Sequence, residues 1–399
     1  MQEKQSVFIR NLLLTTVLGG IIGILNYLFN ILVARYTDQN IFSVFSAAIG
    51  IVYLIQIPAI AIQSLITKEI AKNKNKDLNS YKWYSFGIFT ILGICFSVLF
   101  FLFKVKISGI ASIPEDLVFF LSLTMLFAFV SPVSKGLLLG EERIVTVNLV
   151  LLLETILKFA IGALAIKYGG VVWALILANS VPAMITTLGI LPFVKFRKSE
   201  TEKIRMNFKE LILMTVSFLL LTIPFSMDLI LVNPEFRAEY SSISLLGKLI
   251  YFACVMTSTV LFARISNEEF ANDQRKSLVI SLTLSGAIGL CMSLFYFCFG
   301  DLVISLTVGD QYAGIVEYIG IFGICMTGFS LVYMIINFFI SKGDYEYLII
   351  LVLTSVLQVL LFVFRNSSLH MAVENQVIVY SVLTLFIFLC LIFKLRKCK

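Results

Sequence analysis

The chain predicts an all-α integral membrane protein, with about twelve transmembrane helices in two six-helix bundles. Three observations predict it. Of 399 residues, 59% are hydrophobic and only 14% charged, with a mean hydropathy of +0.98. That leaves too little polar side chain to coat a soluble protein of this length. Apolar runs of about 20 residues recur, each long enough to cross a hydrocarbon layer about 30 Å thick while its backbone hydrogen bonds close inside a helix. One clearly polar stretch, Lys195–Glu210, falls near the middle with six basic side chains against three acidic ones. It reads as a cytosolic linker, 195–210, between an N-terminal bundle, 1–194, and a C-terminal bundle, 211–399.

The first apolar run, Asn11–Ala34, follows Lys4 and Arg10. It is too long for a signal-peptide core of about 7–15 residues and ends in no small-residue cleavage site, so it reads as a retained span. Within it, Gly19 and Gly23 permit close helix approach, and Asn26 and Asn30 form a polar strip that prefers a cavity or a partner helix to lipid. Spans 41–66, 82–103, 117–139, 144–166 and 171–194 complete the first bundle. Spans 211–232, 243–265, 278–307, 315–340, 346–364 and 370–393 make the second. Pro58 and Pro224 lie inside spans two and seven, where each removes a backbone hydrogen bond and can kink its helix. The run 278–307 is long for a single crossing and implies tilt or continuation beyond the bilayer.

Charge placement sets the orientation. With the N-terminus inside, 23 of the 31 lysines and arginines fall in cytosolic segments and 6, Arg35, Lys104, Lys106, Lys167, Arg237 and Arg365, in external ones. A missed helix would invert every later loop and spoil this bias, so both termini are expected in the cytoplasm. External loops are all short; the longest runs around Lys104–Asp116.

Several function classes are excluded. The net charge of +7 is spread over alternate loops rather than gathered into an aromatic-interleaved basic domain, which argues against nucleic acid. Six of seven cysteines lie in apolar runs and His370 is the single histidine, so neither a zinc site, a disulfide framework nor a histidine dyad is expected. No phosphate-binding loop, dinucleotide fingerprint or nucleophile elbow occurs, so no cofactor, metal or ATP site is expected. Energy must come from an ion gradient, the membrane potential or the substrate's own gradient.

Ionisable groups inside spans point to function, because burying them in a membrane is costly. Asp228 and Lys248 lie about 6–8 Å below the outer boundary on adjacent antiparallel spans. They read as a structural ion pair, as side chains that snorkel to the interface, or as a cavity cation holding an anionic group with Asp228 tuning it. Glu154 and Lys158, four residues apart on span five, read as a self-neutralising local pair or as a proton or ion relay. Glu154, Lys158 and Asp228 are the ion-coupling candidates.

NYLFNILVARYTDQNIFSVFSAAIG (Asn26–Gly50), ITKEIAK (Ile66–Lys72), GLLLGEERIVTVNLV (Gly136–Val150) and MDLILVNPEFRAEYSSISLLGKLIYF (Met227–Phe252) follow one another in the order of a known family. In these stretches and in its layout the chain resembles the Wzx-type O-antigen flippases, the polysaccharide transporter branch of the MOP (MATE-like) exporter superfamily. The resemblance implies two bundles around a V-shaped central cavity lined by spans one, two, seven and eight. It implies an undecaprenyl-diphosphate-linked oligosaccharide, an O-antigen or capsule repeat unit, moved from the cytoplasmic to the periplasmic leaflet of the bacterial inner membrane by alternating access. The residues matching cavity-lining positions are Asn26, Asn30, Arg35, Lys68, Asp228, Lys248 and Arg264. Membrane lipids, a glycan polymerase and a chain-length regulator are the implied partners, and no enzymatic step is.

Two alternatives differ in chemistry. A cation-coupled multidrug exporter of the MATE type would favour acidic cavity residues. A multi-span O-antigen polymerase would need a sizeable external loop to carry its catalytic groups. A diphosphate bearing a hydrated sugar cannot cross bare hydrocarbon, whereas an inside-negative potential favours outward movement of an anion by about 2.3 kcal/mol per charge per 100 mV.

Overall fold

A computed structural model of the chain describes residue 18 and residues 21–72, 79–141, 143–191, 208–265, 274–341 and 344–397. No strand occurs among them. The helices are α1 (Ile21–Tyr36), then α2 (Gln39–Ile55), α3 (Ile57–Lys72), α4 (Asn79–Leu102), α5 (Lys104–Ala111), α6 (Glu115–Gly140), α7 (Ile144–Lys167), α8 (Val172–Ile190), α9 (Phe208–Leu231), α10 (Arg237–Ile265), α11 (Gln274–Leu306), α12 (Val316–Ser341), α13 (Leu348–Phe364) and α14 (Leu369–Lys397). Among the described residues nine helical stretches are long and apolar enough to cross a membrane, and α1 and α13 are shorter apolar helices. The protein is a multi-pass membrane protein. Most of the expected linker, as far as Asn207, lies outside the described residues.

Three local departures from the expected spans have physical causes. The second span is broken at Gln56 into α2 and α3, because Pro58 has no N–H to continue the ladder; a tighter Ala59 N–H to Gln56 carbonyl bond of 3.1 Å takes over. The long ninth span, α11, bends at Phe299 (φ −130°, ψ 33°). The expected external loop at Lys104–Asp116 contains α5, which ends where Ser112 turns left-handed (φ 50°) and donates its N–H to Ser108.

The chain divides into two compact units. The first comprises the described residues up to Phe29 together with Val44–Thr222, and the second comprises Asn30–Ser43 and Ile223–Lys399. Helices α1, α2 and α9 therefore each contribute to both.

In the first unit α3, α4 and α8 pack on α6. The core holds Ile62, Ile66, Phe89, Phe129, Val133 and Leu137. Lipid is as apolar as these side chains, so helix association here depends on close van der Waals fit rather than on escape from water. Gly136 and Gly140 provide that fit. A Cβ at Gly136 would stand 2.9 Å from the Gln63 carbonyl, and one at Gly140 would stand 2.5 Å from Ile70 Cβ. The outward face of α4 exposes Ile91, Ile94, Val98 and Leu102, as a lipid-facing helix should.

In the second unit α12 is the central helix, packed by α10, α11 and α14. Its core is aromatic. Phe329 stacks on Phe225 at 5.6 Å and meets Tyr380 at 5.1 Å, while Tyr251 tilts against Phe225 at 4.9 Å.

Candidate functional site

The first unit holds a cavity of about 270 Å³ among α3, α6, α7 and α8. Helical spacing puts polar side chains on it. Gln56, at the break before α3, and Gln63 on α3 both line it, and Ser131 and Lys135 are four apart on α6. Asn179 of α8 and Glu154 of α7 complete the polar lining. Lys135 Nζ donates to Glu154 Oε2 at 2.8 Å, and the Thr186 hydroxyl donates to Glu154 Oε1 at 2.5 Å. Both carboxylate oxygens are thus occupied, and the cavity carries one positive and one negative charge in contact. The Ser131 hydroxyl is buried and has no hydrogen-bond partner among the described atoms.

This arrangement corrects the expected Glu154–Lys158 pair. Both residues find partners on other helices instead. Lys158 Nζ donates to Asn26 Oδ1 at 3.1 Å and sits 4.5 Å above the Phe29 ring of α1. Asn26 in turn donates to Thr155 Oγ1 at 3.3 Å and to the Ile22 carbonyl at 3.1 Å. The two ends of the four-residue spacing face different neighbours, and tertiary partners with better geometry override the local pair. Lys135 lies in the last part of the expected span 117–139 and counts in the sequence with the cytosolic cations, while Thr186 and the amides of the cavity carry no charge to mark them.

In the second unit Asp228 of α9 and Lys248 of α10 are 0% and 3% exposed. Neither snorkels. Tyr240, Ser244 and Lys248 recur every four residues and so present one face of α10 toward Asp228. Asp228 Oδ2 accepts from the Tyr240 hydroxyl at 3.0 Å and from Ser244 Oγ at 3.4 Å, while Oδ1 has no hydrogen-bond partner among the described atoms. The Lys248 ammonium attracts the Asp228 carboxylate and lies 4.7 Å above the Phe225 ring. One turn before Asp228, the Pro224 carbonyl accepts from Gln376 at 2.7 Å and from Gln358 at 3.3 Å, and these two amides also bond each other at 2.9 Å.

The remaining sequence candidates are dispersed. Arg35 is exposed at the end of α1, where its guanidinium donates to the Ser305 and Leu306 carbonyls at 2.9 Å and to Thr307 at 3.3 Å. Asn30 is half-buried in α1 and Lys68 is exposed on α3. The Arg264 side chain lies outside the described residues. Arg237, counted from sequence among the external cations, is only 1% exposed. Its guanidinium folds back onto the Val232 and Ile230 carbonyls at 3.0 and 3.4 Å.

The fold is similar to that of several solved transporters. Lipid II flippase MurJ in an inward closed conformation matches with a TM-score of 0.75 and 13% identity over 95% of this chain and 87% of that one. An inward-facing multidrug resistance MATE family transporter of the MOP superfamily matches with a TM-score of 0.73 and 15% identity, covering 94% and 95%. A MOP superfamily transporter from Pyrococcus furiosus matches with a TM-score of 0.66 and 16% identity, covering 96% and 94%. At these identities the likeness establishes a shared fold, that of the MATE and MurJ transporters. No functionally curated protein sequence matches the chain significantly. The sequence profile of the family described as "Polysaccharide biosynthesis protein" matches residues 8–233, more than half of the chain, and the chain belongs to that family.

Proposed function

We propose that this protein is a flippase that turns an undecaprenyl-diphosphate-linked oligosaccharide from the cytoplasmic to the periplasmic leaflet of the bacterial inner membrane by alternating access. The observation that carries the reading is the family match on a fold of this kind. A polysaccharide pathway that assembles its unit on a lipid inside the cell needs a membrane protein to move the polar head, since hydrated sugar and phosphate do not cross hydrocarbon. The polar groups at membrane depth fit that task. Asp228 and Lys248 are buried together in one unit, and Glu154, Lys135, Lys158 and Asn26 line or adjoin polar space in the other. On this reading no covalent bond is made or broken, both termini are cytoplasmic by the distribution of basic residues, and the product is handed to a glycan polymerase and its chain-length regulator.

Deleting the gene in its host tests this. Surface glycan is expected to vanish while the lipid-linked repeat unit accumulates in the cytoplasmic leaflet, and a plasmid copy is expected to restore it. Unchanged surface glycan in the deletion strain would defeat the reading.

The fold likeness to multidrug resistance transporters favours a second reading, an exporter of cationic drugs. Against it, each acidic group at membrane depth in the two clusters already faces a lysine: Glu154 faces Lys135, and Asp228 faces Lys248. Efflux of a cationic dye by the protein in vesicles, abolished by Asp228→Asn, would support this second reading over the first.

A further inference from the structure

We infer that the cavity of the first unit is a subsite for one neutral, hydroxyl-rich sugar ring, a specificity pocket for the glycan; the inference rests on the transport reading above. Size comes first. About 270 Å³ holds roughly nine waters at about 30 Å³ each, the room taken by a single pyranose ring with a small substituent.

The chemistry of the wall narrows the ligand. Gln56, Gln63 and Asn179 are primary amides, which donate through the nitrogen and accept at one oxygen; Asn179 gives one N–H to the Leu175 carbonyl at 3.2 Å and keeps the other. A sugar hydroxyl also donates and accepts, so such a wall matches it in either sense. Ser131 on the same wall is 4% exposed, and its hydroxyl oxygen is closed off and has no hydrogen-bond partner among the described residues. Phe127 and Ile60 supply the apolar side. The electron-rich face of a phenyl ring suits the C–H face of a sugar, while the amides suit its rim.

Charge excludes the rivals. Lys135 and Glu154 neutralise each other at 2.8 Å. A diphosphate would meet the Glu154 carboxylate, and a cationic drug would meet the Lys135 ammonium. Neither gains enough from the balanced pair to offset the loss of its own hydration. A neutral ring suffers no such conflict.

The test uses the full-length protein in lipid nanodiscs with saturation-transfer NMR. The probes are the methyl glycosides of glucose, galactose, N-acetylglucosamine and rhamnose, with inorganic pyrophosphate and tetraphenylphosphonium as charged competitors. At least one glycoside is expected to bind saturably without displacement by either competitor. The double variant Gln63→Leu, Asn179→Leu is expected to weaken that binding about tenfold or more, the effect of losing one or two net hydrogen bonds. Glu154→Gln, which leaves Lys135 unbalanced, is expected to make pyrophosphate a competitor, a gain that a misfolded protein could not show. Binding by none of the four glycosides, undiminished binding in the double variant, or displacement by pyrophosphate in the unmodified protein would each overturn the subsite. The two readings fail separately. Normal surface glycan in a strain lacking the protein removes the transport reading and leaves glycoside binding standing. Full restoration of surface glycan by a double variant that binds the glycosides as tightly as the parent removes the subsite and leaves transport standing.

Discussion

The ammonium of Lys135 lies 2.8 Å from Glu154 Oε2, and the two side chains are 12% and 15% exposed. A pair this sheltered is asymmetric in its energetics. Removing one partner strands the other charge, whereas removing both together can be close to neutral. Lys135→Met or Glu154→Leu alone is expected to destabilise the protein by about 2 kcal/mol, below the range of about 3–5 for a fully buried pair because both side chains keep some exposure. The double variant should lose less than the sum of the two. A double-mutant cycle by thermal unfolding in nanodiscs measures this, and simple additivity would show that the contact carries no coupling.

Asp228 and Lys248 form a second sheltered pair, supported by the Tyr240 hydroxyl at 3.0 Å from Asp228 Oδ2. Asp228→Asn keeps an acceptor for Tyr240 but removes the charge that Lys248 faces. Lys248→Met removes the other half. Each single change is expected to reduce stability, and the pair is expected to couple by about 1 kcal/mol or more, as residues in one charge network do. Tyr240→Phe should cost about 1 kcal/mol, one buried hydrogen bond. Coupling indistinguishable from zero in the Asp228/Lys248 cycle would detach the two charges from one another.

How much of this was legible from residues alone depends on what hydropathy can register. The spans were legible because unbroken apolar runs in a membrane leave the backbone no alternative to the helix. The Asp228–Lys248 juxtaposition was legible too, since equal depth on neighbouring antiparallel spans is a one-dimensional property. The partner of Glu154 was not. Lys158 is its neighbour along α7, but Lys135 reaches it from α6, and only the packing of α6 and α7 decides between them. The cavity amides were equally hidden, because Gln56, Gln63 and Asn179 carry no charge and sit inside otherwise apolar windows. The seven-residue spacing of Gln56, just before α3, and Gln63 within it was the available signal. Arg237 misled for the opposite reason: a charge next to a loop reads as solvated, yet here it satisfies the carbonyls that end α9 and starts α10 six residues before the apolar run.

Arg35 caps the end of α11 by donating to three successive carbonyls, Ser305, Leu306 and Thr307. Those carbonyls have no partners further along the helix and carry the negative end of its dipole, so a guanidinium is the fitting group. Gln311 strengthens the junction by donating to the Ala34 carbonyl at 2.9 Å. Gly309 follows at φ 100°, a backbone angle that a side chain strains. Arg35→Ala is expected to cost about 1 kcal/mol and to speed hydrogen exchange at residues 304–309. Gly309→Ala should do the same through the backbone, by about 1 kcal/mol. Exchange at 304–309 that stays at the parent rate in Arg35→Ala would show that the cap does not hold the helix end.

Lys394, at the end of α14, is salt-bridged to Asp344 in the turn between α12 and α13 and lies 3.1 Å from Glu346 Oε2. Burial alone would raise the Asp344 carboxyl, but the Lys394 ammonium hydrogen-bonded to it, with the Glu346 backbone N–H, holds it below its ordinary value. The sign follows from proton uptake. A carboxyl with a depressed folded pKa binds a proton more weakly than in the unfolded chain, so it adds stability above the unfolded value and loses it as pH falls through the folded one. The contribution should therefore be constant from neutral pH down to about 5, begin to shrink near the ordinary aspartate value of about 4, and be gone only below the depressed folded value. Asp344→Asn is expected to be less stable than the parent by up to about 1 kcal/mol at pH 7, the scale of a partly exposed pair, with the gap narrowing as pH falls below about 4 toward 3. Thermal unfolding of both proteins between pH 7 and pH 3 tests the convergence. A gap that persisted unchanged at pH 3 would mean that Asp344 acts there through packing or its hydrogen bond from Glu346, with the charge of Lys394 playing no part.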